Sequence, residues 1–75
     1  MTTKVLDLKG LKCPLPVLKA RRTMKELAGG DILQVLATDP GTVQDFQAYC
    51  ETTGDTLLEW GEEDGVFTFR IRKSA

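Results

Sequence analysis

The sequence contains no histidine. That absence removes Ser-His and Cys-His nucleophile pairs, and with only two cysteines in 75 residues it leaves no zinc site of ordinary composition. No EF-hand loop is present, so the only metal chemistry left open is a hard-cation site built from carboxylates. We expect neither a resident metal nor a cofactor. No apolar run exceeds three residues, and the start MTTKVLDLKG has no apolar core of signal-peptide length. We therefore expect a cytoplasmic chain with no membrane partner. Two cysteines, Cys13 and Cys50, are too few to staple a secreted scaffold, and in a reducing compartment a lone exposed cysteine is more often chemical than structural.

Basic residues are absent from positions 31–69, which carry nine acidic side chains, whereas residues 1–30 carry seven basic and two acidic ones. Two readings of this asymmetry stand side by side. Either two solvated faces attract each other within the folded chain, or the positive half favours an anionic sulfur at Cys13 or an acidic partner. The sequence pI near 5.3 argues against direct nucleic-acid binding. What is present is ordinary for a folded protein: 41% hydrophobic residues and a net charge of −1. Seventy-five residues are expected to form one domain, residues 1–75, folding unaided as a monomer.

The pattern predicts six elements. Lys4 to Leu8 alternates as a short strand, and Gly10 to Lys12 turn the chain. From Pro14 to Ala28, Val17, Ala20, Met24 and Leu27 form one apolar stripe, opposite Lys19, Arg22, Lys25 and Glu26, up to Gly29-Gly30. Ile32 to Thr38 reads as a strand with little exposure. Thr42 with Asp45 resembles a capping box opening a second helix, whose stripe runs through Val43, Phe46, Tyr49, Cys50 and Thr53. Thr56 to Trp60 and Val66 to Arg72 are strands around the turn EEDG, and Lys73-Ser74-Ala75 is expected to be loose. The order β-α-β-α-β-β with right-handed crossovers predicts an α/β two-layer sandwich: a mixed four-stranded sheet, mostly parallel with an antiparallel last strand, and two helices on one face.

The stretch GLKCPLPVLKA, residues 10–20, holds the chemistry. If the first helix begins at Pro14, Cys13 is its N-cap, and Pro14 suits the first helical position because its missing N–H would have had no partner. Pro16 then removes another first-turn donor. A sulfur at such a cap feels the positive helix end, worth roughly 0.3 to 1 kcal/mol, so a moderately depressed thiol pKa is expected. The competing reading makes Cys13 a small buried residue and the prolines mere shapers of the helix. Cys50, on an apolar stripe, reads as a packed core thiol, and a Cys13–Cys50 disulfide is not expected, since Cys50 lies roughly 12 Å along its helix axis from the end where Cys13 sits. Parallel strands bring Asp39-Pro40-Gly41 to the same sheet edge as Cys13. There Asp39 either forms the turn or handles a proton. Trp60 is either core or an interface anchor.

Taken together, Leu6, Asp7, Gly10, Leu11, Cys13, Pro14, Pro16 and Val17, followed by Gly30, Thr38, Asp39, Pro40 and Gly54, resemble the TusA/SirA family of small sulfur-carrier proteins over nearly the whole chain. The resemblance implies that Cys13 accepts sulfane sulfur as a persulfide from a donor such as a cysteine desulfurase or rhodanese, then passes it to an acceptor protein. It implies a two-layer fold like the C-terminal domain of a bacterial initiation factor. The supporting positions are Gly10, Pro14, Leu15, Pro16, Asp39 and Pro40; Lys12, Lys19, Arg21 and Arg22 are candidates for partner contact, Arg21 matching a basic position some members use. Members serving tRNA thiolation often have Glu between the prolines, where this chain has Leu15. The motif therefore leaves the pathway open among tRNA thiolation, molybdenum cofactor supply and sulfur oxidation. Two other functions compete: a monothiol redox protein resembling glutaredoxin, opposed by Pro16 at the second motif cysteine, and a regulatory interaction module using Lys19, Arg22 and Lys25.

Overall fold

The computed structural model describes residues 2–74. Six elements follow in order: β1 (Thr3–Asp7), α1 (Leu15–Met24), β2 (Ile32–Ala37), α2 (Thr42–Thr53), β3 (Thr56–Glu63) and β4 (Val66–Arg72). They form a four-stranded sheet ordered β1-β2-β4-β3, in which β1 and β2 are parallel and β4 is antiparallel to both its neighbours. Leu33, Val35 and Ala37 of β2 and Phe69 and Ile71 of β4 alternate onto one face, where they share a core with Ala20 and Met24 of α1 and Phe46 and Cys50 of α2. Both helices therefore cover that face, giving the expected α/β two-layer sandwich. At its centre the Phe46 and Phe69 rings pack 4.7 Å apart, tilted by 37°.

Within that architecture several local expectations are corrected. The last strand is antiparallel, as expected, but it lies inside the sheet, so among the described residues only one strand pair is parallel. The physical reason is burial: β4 supplies Phe69 and Ile71 to the core, whereas β3 carries exposed Glu59, Glu62 and Glu63, which suit an edge. That edge strand runs on to Glu63 because the hairpin closes on two residues, Asp64 and Gly65, both at positive φ (52° and 81°) as a tight turn of matching twist requires. Trp60 is neither wholly core nor free. It is 44% exposed at this edge with its ring 6.2 Å from that of Phe69.

The first helix stops at Met24, four residues short of Ala28, because its end tightens. The amides of Lys25, Glu26 and Leu27 donate to carbonyls three residues back, and the Asp31 carboxylate draws in the amides of Ala28 and Thr2. β2 is buried on alternate residues only, since its second face has no covering layer. Lys73 and Ser74 are not loose: the Lys73 amide donates to the Asp31 carbonyl and the Ser74 amide to Asp55 Oδ1, while Ala75 lies outside the described residues.

Candidate functional site

Because β1 and β2 are parallel, their C-terminal ends open at one edge of the sheet, and the loops leaving them are tied together there. Gly10 turns the first loop at φ 86°, a conformation that favours glycine, and its N–H donates to Thr38 Oγ1 at 2.9 Å. Asp39 holds both loops with one carboxylate: Oδ2 accepts the Cys13 N–H at 2.7 Å and Oδ1 accepts the Gly41 N–H at 2.9 Å. These two bonds keep the Asp39 carboxyl below its ordinary pKa. Asp39 is thus the turn-former and also the group that fixes the cysteine backbone. Gly41 leaves room for that carboxylate, since a Cβ there would stand 3.3 Å from Asp39 Oδ1.

The helix beneath Cys13 differs from the expected one. Helical residues begin at Leu15 and Pro14 occupies the N-cap, so Cys13 lies one residue before the cap; the Cys13–Pro14 peptide is cis. The Leu15 N–H is already spent on the Lys12 carbonyl. Pro14 and Leu15 are exposed, but Pro16 is fully buried, so its ring is a packing element as well as a missing donor.

The Cys13 thiol does not point into the first turn of α1; it donates to Asp45 Oδ2 on α2. Asp45 makes no capping box, and Thr42 instead donates its buried hydroxyl to the Asp39 carbonyl at 2.6 Å. The expected depression of the Cys13 pKa is therefore reversed. The Asp45 hydrogen bond, with lesser contributions from desolvation and from the charges of Asp45 and Asp39, pushes the thiol above its ordinary value. Sequence reasoning missed Asp45 by giving it a local capping role. The available signal is its place in the first turn of the helix after Asp39-Pro40-Gly41, at the sheet edge that Cys13 shares.

Gly10, Lys12, Asp39 and Pro40 line one depression between the two loops, and Pro14, Arg21 and Asp45 line part of a groove between the helices. Lys19 and Arg22 stand apart on the outer face of α1 with the exposed Leu15 and Leu18. No cluster of three or more His, Cys, Asp or Glu able to hold a metal occurs among the described residues, and no helix there is long and apolar enough to cross a membrane. Both cysteines are free. Cys50 is 8% exposed, and burial with the Asp55 charge pushes its thiol up to about 11, so it is a poor nucleophile in the folded protein.

The sequence pattern of the family described as sulfurtransferase TusA matches residues 4–73. The chain belongs to the TusA family. It is 51% identical to the sulfur carrier protein TusA of Allochromatium vinosum over 69 residues, covering 92% of this chain and 91% of that one. Against the sulfur carrier protein TusA of Pseudomonas putida it is 44% identical over 71 residues, covering 95% and 89%. The crystal structure of a SirA-like protein from Desulfitobacterium hafniense superposes with a TM-score of 0.81 at 31% identity, with both chains covered completely. In this TusA-family chain an exposed thiol stands on a doubly anchored loop, with one carboxylate bonded to its backbone, a second bonded to its sulfur, and no second cysteine within the motif.

Proposed function

We propose that this protein carries sulfane sulfur as a persulfide on Cys13, loading it from a donor protein and passing it to an acceptor protein. The observation that supports this reading most directly is the exposed Cys13, its backbone fixed by Asp39 at the open edge of the only parallel strand pair among the described residues. Sulfur relay of this kind needs a thiol that a partner's cysteine can reach end-on, and the loop presents Sγ between the two helices without covering it. Pro14 and the fully buried Pro16 stiffen the segment, Gly10 and Pro40 shape the two loops, and Leu15 exposes an apolar side chain beside the sulfur. Transfer between proteins is sulfurtransferase chemistry, with the carrier acting as both recipient and donor.

The partner surface is the outer face of α1. Leu15, Leu18, Lys19 and Arg22 recur at helical spacing there, with Lys12 just before the helix, and no acidic residue occurs between Lys9 and Lys25. An acidic rim around an apolar contact on the donor, a protein of the cysteine desulfurase or rhodanese class, would match this face. Arg21 faces the groove beside Asp45 and contacts the part of the partner nearest the sulfur. A reduced cysteine with no disulfide partner suits the cytoplasm.

Mass spectrometry tests the assignment. Incubation with a persulfide donor or polysulfide adds the mass of one sulfur atom to the wild-type chain and to Cys50→Ser, and adds nothing to Cys13→Ser. Undiminished loading of Cys13→Ser would remove the thiol from the mechanism.

A further inference from the structure

Sulfane transfer has a proton requirement that the loop around Cys13 does not meet by itself. The attacking thiol must lose a proton, and the departing thiolate must regain one, although the net reaction neither takes up nor releases any. Among the described residues nothing on the α1 side supplies a base: the chain has no histidine, and the charged groups on that side are cationic. Asp39 already accepts two backbone amides, one on each carboxylate oxygen, and these bonds favour its ionised form. Asp45 is the one side chain that the thiol reaches directly.

We propose that Asp45 is the catalytic proton shuttle of Cys13 in both halves of the carrier cycle. This rests on the persulfide-carrier reading above. On loading, Sγ attacks the terminal sulfur of a donor persulfide R–S–SH as its proton passes to Asp45. The Sγ–S bond forms, the donor's S–S bond breaks, and R–S⁻ leaves and takes the proton back from Asp45. The products are Cys13–S–SH and R–SH, with no oxidant or reductant consumed. On unloading, an acceptor thiol gives its proton to Asp45, attacks the terminal sulfur, and displaces Cys13 as a thiolate, which Asp45 reprotonates.

The groups facing the sulfur explain why a shuttle is needed. From α2 comes Asp45 and from the loop after β2 comes Asp39, and both charges oppose a Cys13 thiolate. The Lys12 charge makes a small contribution to keeping Asp39 ionised, and Arg21 lines the groove with Asp45. A bare thiolate in this setting is costly to form and a poor leaving group, so both half-reactions gain from a carboxylate that accepts and returns the proton.

Asp45→Asn separates this role from a merely structural or electrostatic one. The amide oxygen still accepts the thiol hydrogen bond but cannot carry the proton. Sulfane transfer from a protein persulfide donor at neutral pH, followed by mass spectrometry, is expected to slow roughly 10²-fold, the lower range for one acid–base group. Alkylation of Cys13 by iodoacetamide at the same pH is expected to become faster, because a neighbouring negative charge is gone. Asp45→Glu restores part of the transfer rate, and far-ultraviolet circular dichroism reports the fold of each variant. If both rates rise together in Asp45→Asn, the carboxylate only tunes the thiol and the shuttle is refuted. Transfer within about threefold of wild type also refutes it, since a positioned acid–base group contributes at least roughly 10²-fold. Failure of the wild type to load would instead strike the carrier reading itself.

Discussion

Replacing Pro16 by alanine separates the two uses of the motif's prolines. Its ring is fully buried in the first turn of α1, and Pro16→Ala deletes two buried methylenes at about 0.8 kcal/mol each. The substitution also frees the unfolded chain, a loss of about 0.4 to 1 kcal/mol. The N–H restored at position 16 falls in the first turn, where helix donors have no intrahelical acceptor, and offsets little of this. The net cost is about 2 kcal/mol against a total of about 4 to 11 kcal/mol for a chain of this length. For a domain of this size, that corresponds to a drop in Tm of about 8 to 16 °C, measured by circular dichroism. Leu15→Ala, one residue away but 45% exposed, should stay within about 0.5 kcal/mol of wild type. A fall of less than about 4 °C in Pro16→Ala would refute a packing role. Cys13 alkylation in the folded variant should be unchanged, since Sγ is directed at Asp45 and away from the donor that Pro16 lacks. A marked acceleration would restore the reading in which Pro16 serves to strip a donor from beneath the sulfur.

Asp39→Asn leaves one of the two loop amides facing an NH2 group, so hydrogen exchange at Cys13 or Gly41 should accelerate; unchanged protection would remove Asp39 as the anchor. Leu18→Ser, and likewise Leu15→Ser, should weaken sulfur transfer from a protein donor while leaving loading by inorganic polysulfide intact, and equal loss in both assays would place these residues in the chemistry. Stability should fall with alkali. The folded-state pKa values of Cys50, raised from 9.0 to about 11, and Tyr49, raised from 10.0 to about 12, exceed the unfolded ones, so their contribution is complete below pH 9 and is lost between there and about pH 12. Acid acts through Asp31 and Asp39, whose lowered pKa values give a contribution present above the ordinary carboxylate range and lost as pH falls through the folded values; urea titrations across pH check both limbs.

Periodicity was enough to place both helices and all four strands, because burial on one sheet face imposes regular spacing on Val35 and Ala37, on Phe69 and Ile71, and on Ala20 and Met24. What periodicity could not convey was the position of β4, which depends on which strand tolerates an exposed edge, a comparison between Glu-rich β3 and apolar β4 across the whole sheet. The end of α1 was overextended because Leu27 continues the stripe, while the groups that end the helix, Asp31 and the amides it binds, lie outside the window. At the site, Cys13 and Asp39 were legible from local motifs and strand direction. Asp45 was not, since its residue type at that spacing after Thr42 is also what a capping box uses. Local grammar and tertiary contact competed for one carboxylate, and the contact to sulfur won.

The asymmetry of charge along the chain takes on a different meaning once the loops are placed. Seven of nine charges in residues 1–30 are positive, yet the groups nearest Sγ are two carboxylates from the acidic half. Lys19 and Arg22 lie away from the thiol on the outer face of α1, and on the carrier reading proposed above they steer the encounter with a partner. Such separation suits a carrier better than a cysteine activated in place. A strongly depressed thiol is exposed as thiolate to every electrophile it meets and is a weaker nucleophile, whereas a thiol held protonated by Asp45 is quiet until a persulfide is brought to it. On the reading proposed above, recognition resides on the outer face of α1 and proton handling between the helices, and GLKCPLPVLKA joins the two: its cysteine leans toward α2 while Leu15, Leu18 and Lys19 face out.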